Sequence, residues 1–125
     1  MIRNYLLIGL GGALGSMLRY GCSLLIGHKL FPAATLLINA SGSFIIGMIV
    51  AFSLKNEAFS HNWKLFLATG ICGGFTTFSA FSLENFELLE NGKPLIMLLY
   101  SIASLLLGIT AVWMGFKLAN LVTNG

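Results

Sequence analysis

Three sets of residues in this chain have types and spacings suited to handling a small ion. Thr35, Asn39 and Ser43 recur at i, i+4 and i+8, one polar stripe on an otherwise apolar stretch. Tyr100, Ser104 and Gly108 repeat that spacing, with Ser101 beside them. Phe78 and Phe81 are three apart, so on a helix their rings share a face, and Glu84 extends that face by another three residues. An aromatic ring has a negative face and a positive edge, so two ring edges offer an anion weak, non-protic coordination. Hydroxyl and amide donors, Ser79, Tyr100 and Asn39 among them, can replace the waters such an ion sheds, provided that binding stays weak enough to release it. Between the stripes lies Gly70-Ile71-Cys72-Gly73-Gly74-Phe75-Thr76-Thr77-Phe78-Ser79-Ala80-Phe81. Its three glycines and run of hydroxyls are poor material for a continuous helix. Carbonyls freed at a helix break suit a cation such as sodium.

No reaction chemistry accompanies these groups. His28 and His61 both fall in polar connections, without a Cys, Asp or Glu at useful ligand spacing. No nucleophile has an adjacent base, so the chain is not expected to be an enzyme. Cys22 and Cys72 sit in apolar segments without metal-ligand spacing and read as packing residues. Gly9, Gly11, Gly12 and Gly15 do not make a dinucleotide loop, because Leu14 stands where a glycine is needed and no strand precedes them.

The elements that must position the ion-handling groups follow from composition. Of 125 residues, 57% are hydrophobic and 9% charged, where a soluble domain carries about 25% charged residues. Mean hydropathy is +0.89. This is the composition of an all-α integral membrane protein. A net charge of +3, scattered along the chain, excludes a nucleic-acid patch. A spanning helix needs about 20 residues, and four apolar stretches meet that, at about 4–27, 32–54, 63–89 and 94–122. His28-Lys29, then Lys55 through Asn62, then Glu90 through Pro94 connect them, none long enough for a soluble domain. Residues 1–125 therefore read as a single four-helix transmembrane domain with its third helix broken mid-membrane. Such a break survives only where it is buried in protein, lines a cavity or holds an ion. The first stretch continues past the length of a signal peptide and meets Arg19-Tyr20 without a convincing cleavage site. The glycosylation sequon Asn39-Ala40-Ser41 lies inside a span and is discarded.

Orientation is weakly marked. Arg3, Lys55, Lys64 and Lys117 fall on one side, Lys29 and Lys93 with His28 on the other. That balance fits a fixed topology or insertion both ways. A single four-helix chain is also small for enclosing a pore, and two-fold dimers are the commonest closed assembly. Gly11 and Gly15 form a small-xxx-small pair for close helix approach. Several positions support two readings. Arg19 suits an interfacial anchor or a vestibule charge that attracts anions. Asn39 suits inter-helix glue or a pore-lining donor. Tyr100 suits an aromatic belt or the polar stripe. Glu87 and Glu90 read as a solvated helix end, whereas Glu84 needs a partner or a water-filled mouth. Trp113 reads as a packing or interface residue.

The motifs resemble those of the small Fluc (CrcB) fluoride channels. The resemblance is carried by Gly11 through Tyr20, by Thr35 through Phe44 and above all by Gly70 through Phe81, in the family's order. It implies a passive fluoride-selective channel in a prokaryotic plasma membrane (the inner membrane in a Gram-negative cell), relieving cytoplasmic fluoride. It implies an antiparallel, dual-topology homodimer with two pores in the lipid bilayer. By motif position, backbone carbonyls of Gly73 and Thr76 from both subunits hold a central structural sodium ion. Phe78 and Phe81 form an aromatic box on the fluoride path, with Asn39 and Ser79 nearby. Thr35, Tyr100 and Ser104 belong to a polar track, Arg19 to the aqueous vestibule, and Glu84 matches an acid of the family. Where some members continue the track with a hydroxyl, this chain has Gly108. Gly73 is expected to need a backbone conformation closed to other residues, so that bulky replacement there is severe. A small multidrug-resistance transporter shares the length, four spans and dual topology, but it needs a membrane-embedded carboxylate in span one, and this chain has none there. A purely structural membrane subunit leaves the broken segment and the polar stripes unexplained.

Overall fold

The computed structural model describes residues 1–27, 32–56, 59 and 61–124. His28-Lys29 and Glu57, expected in the connections, lie outside the described residues. Helix α1 is Ile2–Ile26, α2 is Ala33–Lys55, and the final helix, α5, is Pro94–Asn124. Between them the third apolar stretch forms two helical pieces. The first, α3, runs over residues 61–75 as a helical turn His61–Lys64, a π-helix Leu65–Cys72 and a closing turn Gly73–Phe75. The second, α4, is Phe78–Glu90. Among the described residues there is no strand.

Among the described residues, three segments are long and apolar enough to cross a membrane: Ala33–Lys55, His61–Glu90 and Pro94–Thr123. The expectation was four. Helix α1 has 25 residues, but Gly9, Gly11, Gly12, Gly15 and Gly21 together with Arg3, Asn4 and Arg19 dilute its apolar character. It is nonetheless fitted closely to α3. A Cβ on Gly11 would collide with the Phe66 carbonyl oxygen, and one on Gly15 with that of Ile71. Gly74 meets the Gly12 backbone in the same way. Gly11 and Gly15 thus lie directly on α3 and let two backbones approach with no side chain between them.

A second seam joins α2 to α5. Gly47 abuts the Val112 carbonyl and Gly115 the Phe44 carbonyl. Neither backbone can retreat without moving its helix. Replacing Gly115 with Ala should therefore cost about 1–3 kcal/mol through overpacking. Thermal unfolding of the purified protein reads this as a lowered midpoint, and an unchanged midpoint would show the seam to be compliant.

Gly73 departs from expectation. Its φ and ψ are −63° and −39°, an ordinary α-helical conformation open to any L-residue. The nearest atom to an added Cβ is the Ala68 carbonyl oxygen at 3.9 Å. Within the subunit neither strain nor crowding requires glycine at 73. The positive-φ glycines are Gly27 and Gly92, at the ends of α1 and α4.

Candidate functional site

The chain leaves helical geometry at Thr76 (φ −83°, ψ 155°) and Thr77 (φ −149°, ψ 119°). Both are extended, and both would leave backbone groups unsatisfied in an apolar setting. Side chains meet that demand. Asn39 on α2 grips the peptide groups of Thr77 twice: its Oδ1 accepts from the Thr77 N–H at 2.9 Å, and its Nδ2 donates to the Thr77 carbonyl at 3.2 Å. Arg19 Nε donates to the Gly74 carbonyl at 3.2 Å, with Ser16 Oγ at 3.5 Å from the same oxygen. Thr77 Oγ1 caps α4 by accepting from the Ala80 N–H at 3.2 Å, and it shares a 3.3 Å contact with Ser79 Oγ. Thr76 turns its hydroxyl back to the Cys72 carbonyl at 2.9 Å, a local bond made one helical turn earlier. Gly42 lets α2 close on the break, since a Cβ there would strike the Thr76 methyl group.

Helix α4 then carries the aromatic face. Ring centroids of Phe78 and Phe81 are 5.8 Å apart, and those of Phe81 and Tyr100 are 5.1 Å apart. Tyr100 is 0% exposed, so it is not an interfacial belt residue. Its hydroxyl donates to Glu84 Oε1 at 2.7 Å, and Thr35 Oγ1 donates to Glu84 Oε2 at 2.6 Å. Three helices thus meet at one carboxylate, which receives a short hydrogen bond on each oxygen. An acid placed this deep is costly without partners, and these two hydroxyls are its partners. Asn85 and Ser101 extend the polar contacts: Asn85 Nδ2 donates to the Phe81 carbonyl and Ser101 Oγ to Asn85 Oδ1.

Two hollows flank this cluster. One, of about 630 Å³, is a groove lined by Asn39, Ser43, Gly73, Thr76, Phe78, Phe81 and Ser104. Phe78 is 78% exposed beside it, and the buried Ser104 hydroxyl has no hydrogen-bond partner among the described residues. The other, of about 590 Å³, is lined by Thr35, Ala80, Glu84, Glu87 and Lys93. Phe81 borders the first and Glu84 the second, so the Phe81–Tyr100–Glu84 contact stands between them. Among the described residues no cluster of His, Cys, Asp and Glu could hold a metal ion. The oxygen donors near the break are main-chain carbonyls and hydroxyls.

Sequence reasoning gave no role to Thr77 or Asn85, and placed Ser101 only beside the polar stripe without a partner. Thr77 had a signal, a threonine immediately before a helical run, which is a preferred N-cap. Asn85 and Ser101 had none, because their pairing joins two helices.

Membrane-crossing apolar helices, a helix broken and held at its middle, and polar groups bordering an open groove define a small helical membrane protein organised around an internal polar track. The chain belongs to the CrcB (Fluc) family, since the profile of CrcB-like protein, Camphor Resistance (CrcB), matches residues 6–116. A relative from Azobacteroides pseudotrichonymphae, named fluoride-specific ion channel FluC, is 44% identical over 123 residues, covering 96% of this chain and 98% of the relative. A Thermus thermophilus protein of the same name is 48% identical over 122 residues, covering 95% and 97%. One from Pyrococcus abyssi, also so named, is 42% identical over 120 residues, covering 95% and 98%.

Proposed function

We propose that this protein is a fluoride-selective channel that lets fluoride leave the cytoplasm passively and so lowers its toxicity. One observation carries the reading: an unbroken run of contacts, Phe78–Phe81–Tyr100–Glu84–Thr35, joins two hollows in a chain whose near full-length relatives are named fluoride-specific ion channels. Fluoride sheds water at the aromatic edges of Phe78 and Phe81 and exchanges it for donors. Ser104 supplies one such donor at the groove, and Asn39 retains one amide N–H beyond the one it gives to Thr77. The membrane is the plasma membrane of a prokaryote, with α1 as a fourth spanning helix alongside the three more apolar segments. The rival reading, a proton-coupled drug transporter, has no carboxylate on α1 to work with.

The working unit is an antiparallel, dual-topology homodimer. The open groove and the exposed Phe78 are the surfaces for the second copy, because the few polar groups of an otherwise apolar groove, Asn39, Ser43, Thr76 and Thr77 among them, are better placed against protein than against hydrocarbon. Sodium is the structural cofactor, held by main-chain carbonyls of Gly73 and Thr76 from both subunits. The donor set fits a hard cation, and the amides that would ordinarily bond these two carbonyls, those of Thr77 and Ala80, are engaged by side chains. A bound cation relieves the repulsion of carbonyls that converge near a two-fold axis.

Liposomes loaded with potassium fluoride or potassium chloride test the function. Fluoride efflux is expected with chloride strongly excluded, and comparable rates for the two would reject selectivity. For topology, a tag on one terminus should be reachable from both sides of the membrane in intact cells. Labelling from a single side, in a functional channel, would rule out the antiparallel dimer.

A further inference from the structure

We propose that Thr77 is the positioning residue of the central cation site, a role that rests on the sodium reading above. In an uninterrupted α-helix the Thr77 N–H would bond to the Gly73 carbonyl and the Ala80 N–H to the Thr76 carbonyl. Here both amides are diverted. Asn39 Oδ1 takes the first at 2.9 Å and Thr77 Oγ1 takes the second at 3.2 Å. Thr77 is involved in both diversions, once as the residue whose amide is captured and once as the side chain that captures. The two carbonyls released are four and one residues before it, and they are the two assigned to the cation. The oxygen next to Gly73 is treated differently: the Gly74 carbonyl already accepts from Arg19 Nε, so it is occupied by a donor of its own. The break therefore sorts neighbouring carbonyls into those satisfied by side chains and those left for an ion.

The extended backbone of Thr77 suits a β-branched residue. Val is thus a near-isosteric replacement that removes only the hydroxyl. Without that hydroxyl the Ala80 N–H loses its cap, which favours a shift of Thr76 and Thr77 towards helical dihedrals, where that N–H bonds the Thr76 carbonyl. A carbonyl that must surrender a hydrogen bond before it binds an ion binds it about tenfold more weakly.

The test is thermal unfolding of the purified full-length protein in detergent, titrated with sodium chloride from trace to molar, with choline chloride holding ionic strength constant. In the wild type the unfolding midpoint rises with sodium by mass action. Thr77→Ser keeps the capturing hydroxyl and should need the same sodium concentration, within about threefold, for half of the rise. Thr77→Val and, on the other helix, Asn39→Leu should each need about tenfold more. Wild-type values in both variants would overturn the positioning role while leaving sodium binding intact. A wild type whose midpoint ignores sodium would instead remove the cation reading, and the role of Thr77 with it. Should either variant assemble poorly, molar sodium should restore its assembly, because a weakened site refills at high concentration. Failure of both variants to assemble at any sodium concentration would count against the proposal.

Discussion

Phe78→Ile is expected to reduce fluoride efflux from liposomes by about tenfold or more while leaving the unfolding midpoint of the protein close to wild type. Isoleucine keeps an apolar side chain of moderate volume and removes the positive ring edge. Phe78 is 78% exposed in the subunit, so the substitution loses few contacts within the chain, and isoleucine keeps an apolar surface for the proposed second copy to cover. Phe81 differs because it sits between two rings, 5.8 Å from Phe78 and 5.1 Å from Tyr100. Phe81→Ile should show the same loss of flux together with a lost aromatic contact of about 0.5–1.5 kcal/mol. Efflux followed with a fluoride electrode and melting followed on the same preparations separate the two effects. Wild-type efflux in both variants would show that the rings only pack.

The contrast between these two phenylalanines illustrates what the sequence could and could not convey. Their i, i+3 spacing puts both on one face, and composition alone implies helices in a membrane, because 9% charged residues cannot cover a water-facing surface. Which ring is flanked and which is open depends on α5, more than a dozen residues away. The glycine-rich stretch announced an interruption, and the chain does leave helical geometry at Thr76 and Thr77. The π-helix over Leu65–Cys72 had no announcement, since a change from i→i+4 to i→i+5 bonding has no compositional mark.

Glycine was partly misleading. The sequence leads one to expect unusual backbone freedom at Gly73, yet its dihedrals are ordinary. The glycines under real constraint are those where two backbones touch: Gly11, Gly15 and Gly74 between α1 and α3, and Gly47 and Gly115 between α2 and α5. Gly11 and Gly15 were legible as a small-xxx-small pair. Gly47 and Gly115 were not singled out, because each is a single glycine whose partner is a carbonyl on another helix. The first helix shows a related effect. The glycines that let it approach α3 are the same residues that dilute its hydropathy, so close packing and membrane legibility work against each other there.

Glu84 presents the sharpest case of a residue whose need was legible and whose partners were not. A carboxylate on the aromatic face requires donors, but nothing in a sequence selects Thr35, 49 positions away, over the other hydroxyls of the polar stripes. The structure sets Thr35 on one oxygen and Tyr100 on the other, in surroundings where Thr35 is 7% exposed and Tyr100 0%. Glu84→Leu takes this acceptor from two buried donors at once, at a cost of about 1–3 kcal/mol in all, because Thr35 and Tyr100 also lie within hydrogen-bond reach of each other and can pair in its absence. Glu84→Gln keeps one carbonyl oxygen in place and offers an N–H to the other hydroxyl, which can turn to accept it. It should recover most of that loss. The decisive measurement is a double-mutant cycle in which Glu84→Leu is repeated in a Thr35→Val, Tyr100→Phe background. With both hydroxyls gone there is nothing left to orphan, so the cost of Glu84→Leu should shrink, giving a coupling energy of about 0.5–3 kcal/mol. Strictly additive costs in thermal or denaturant unfolding would mean that the carboxylate is not what holds these three helices together.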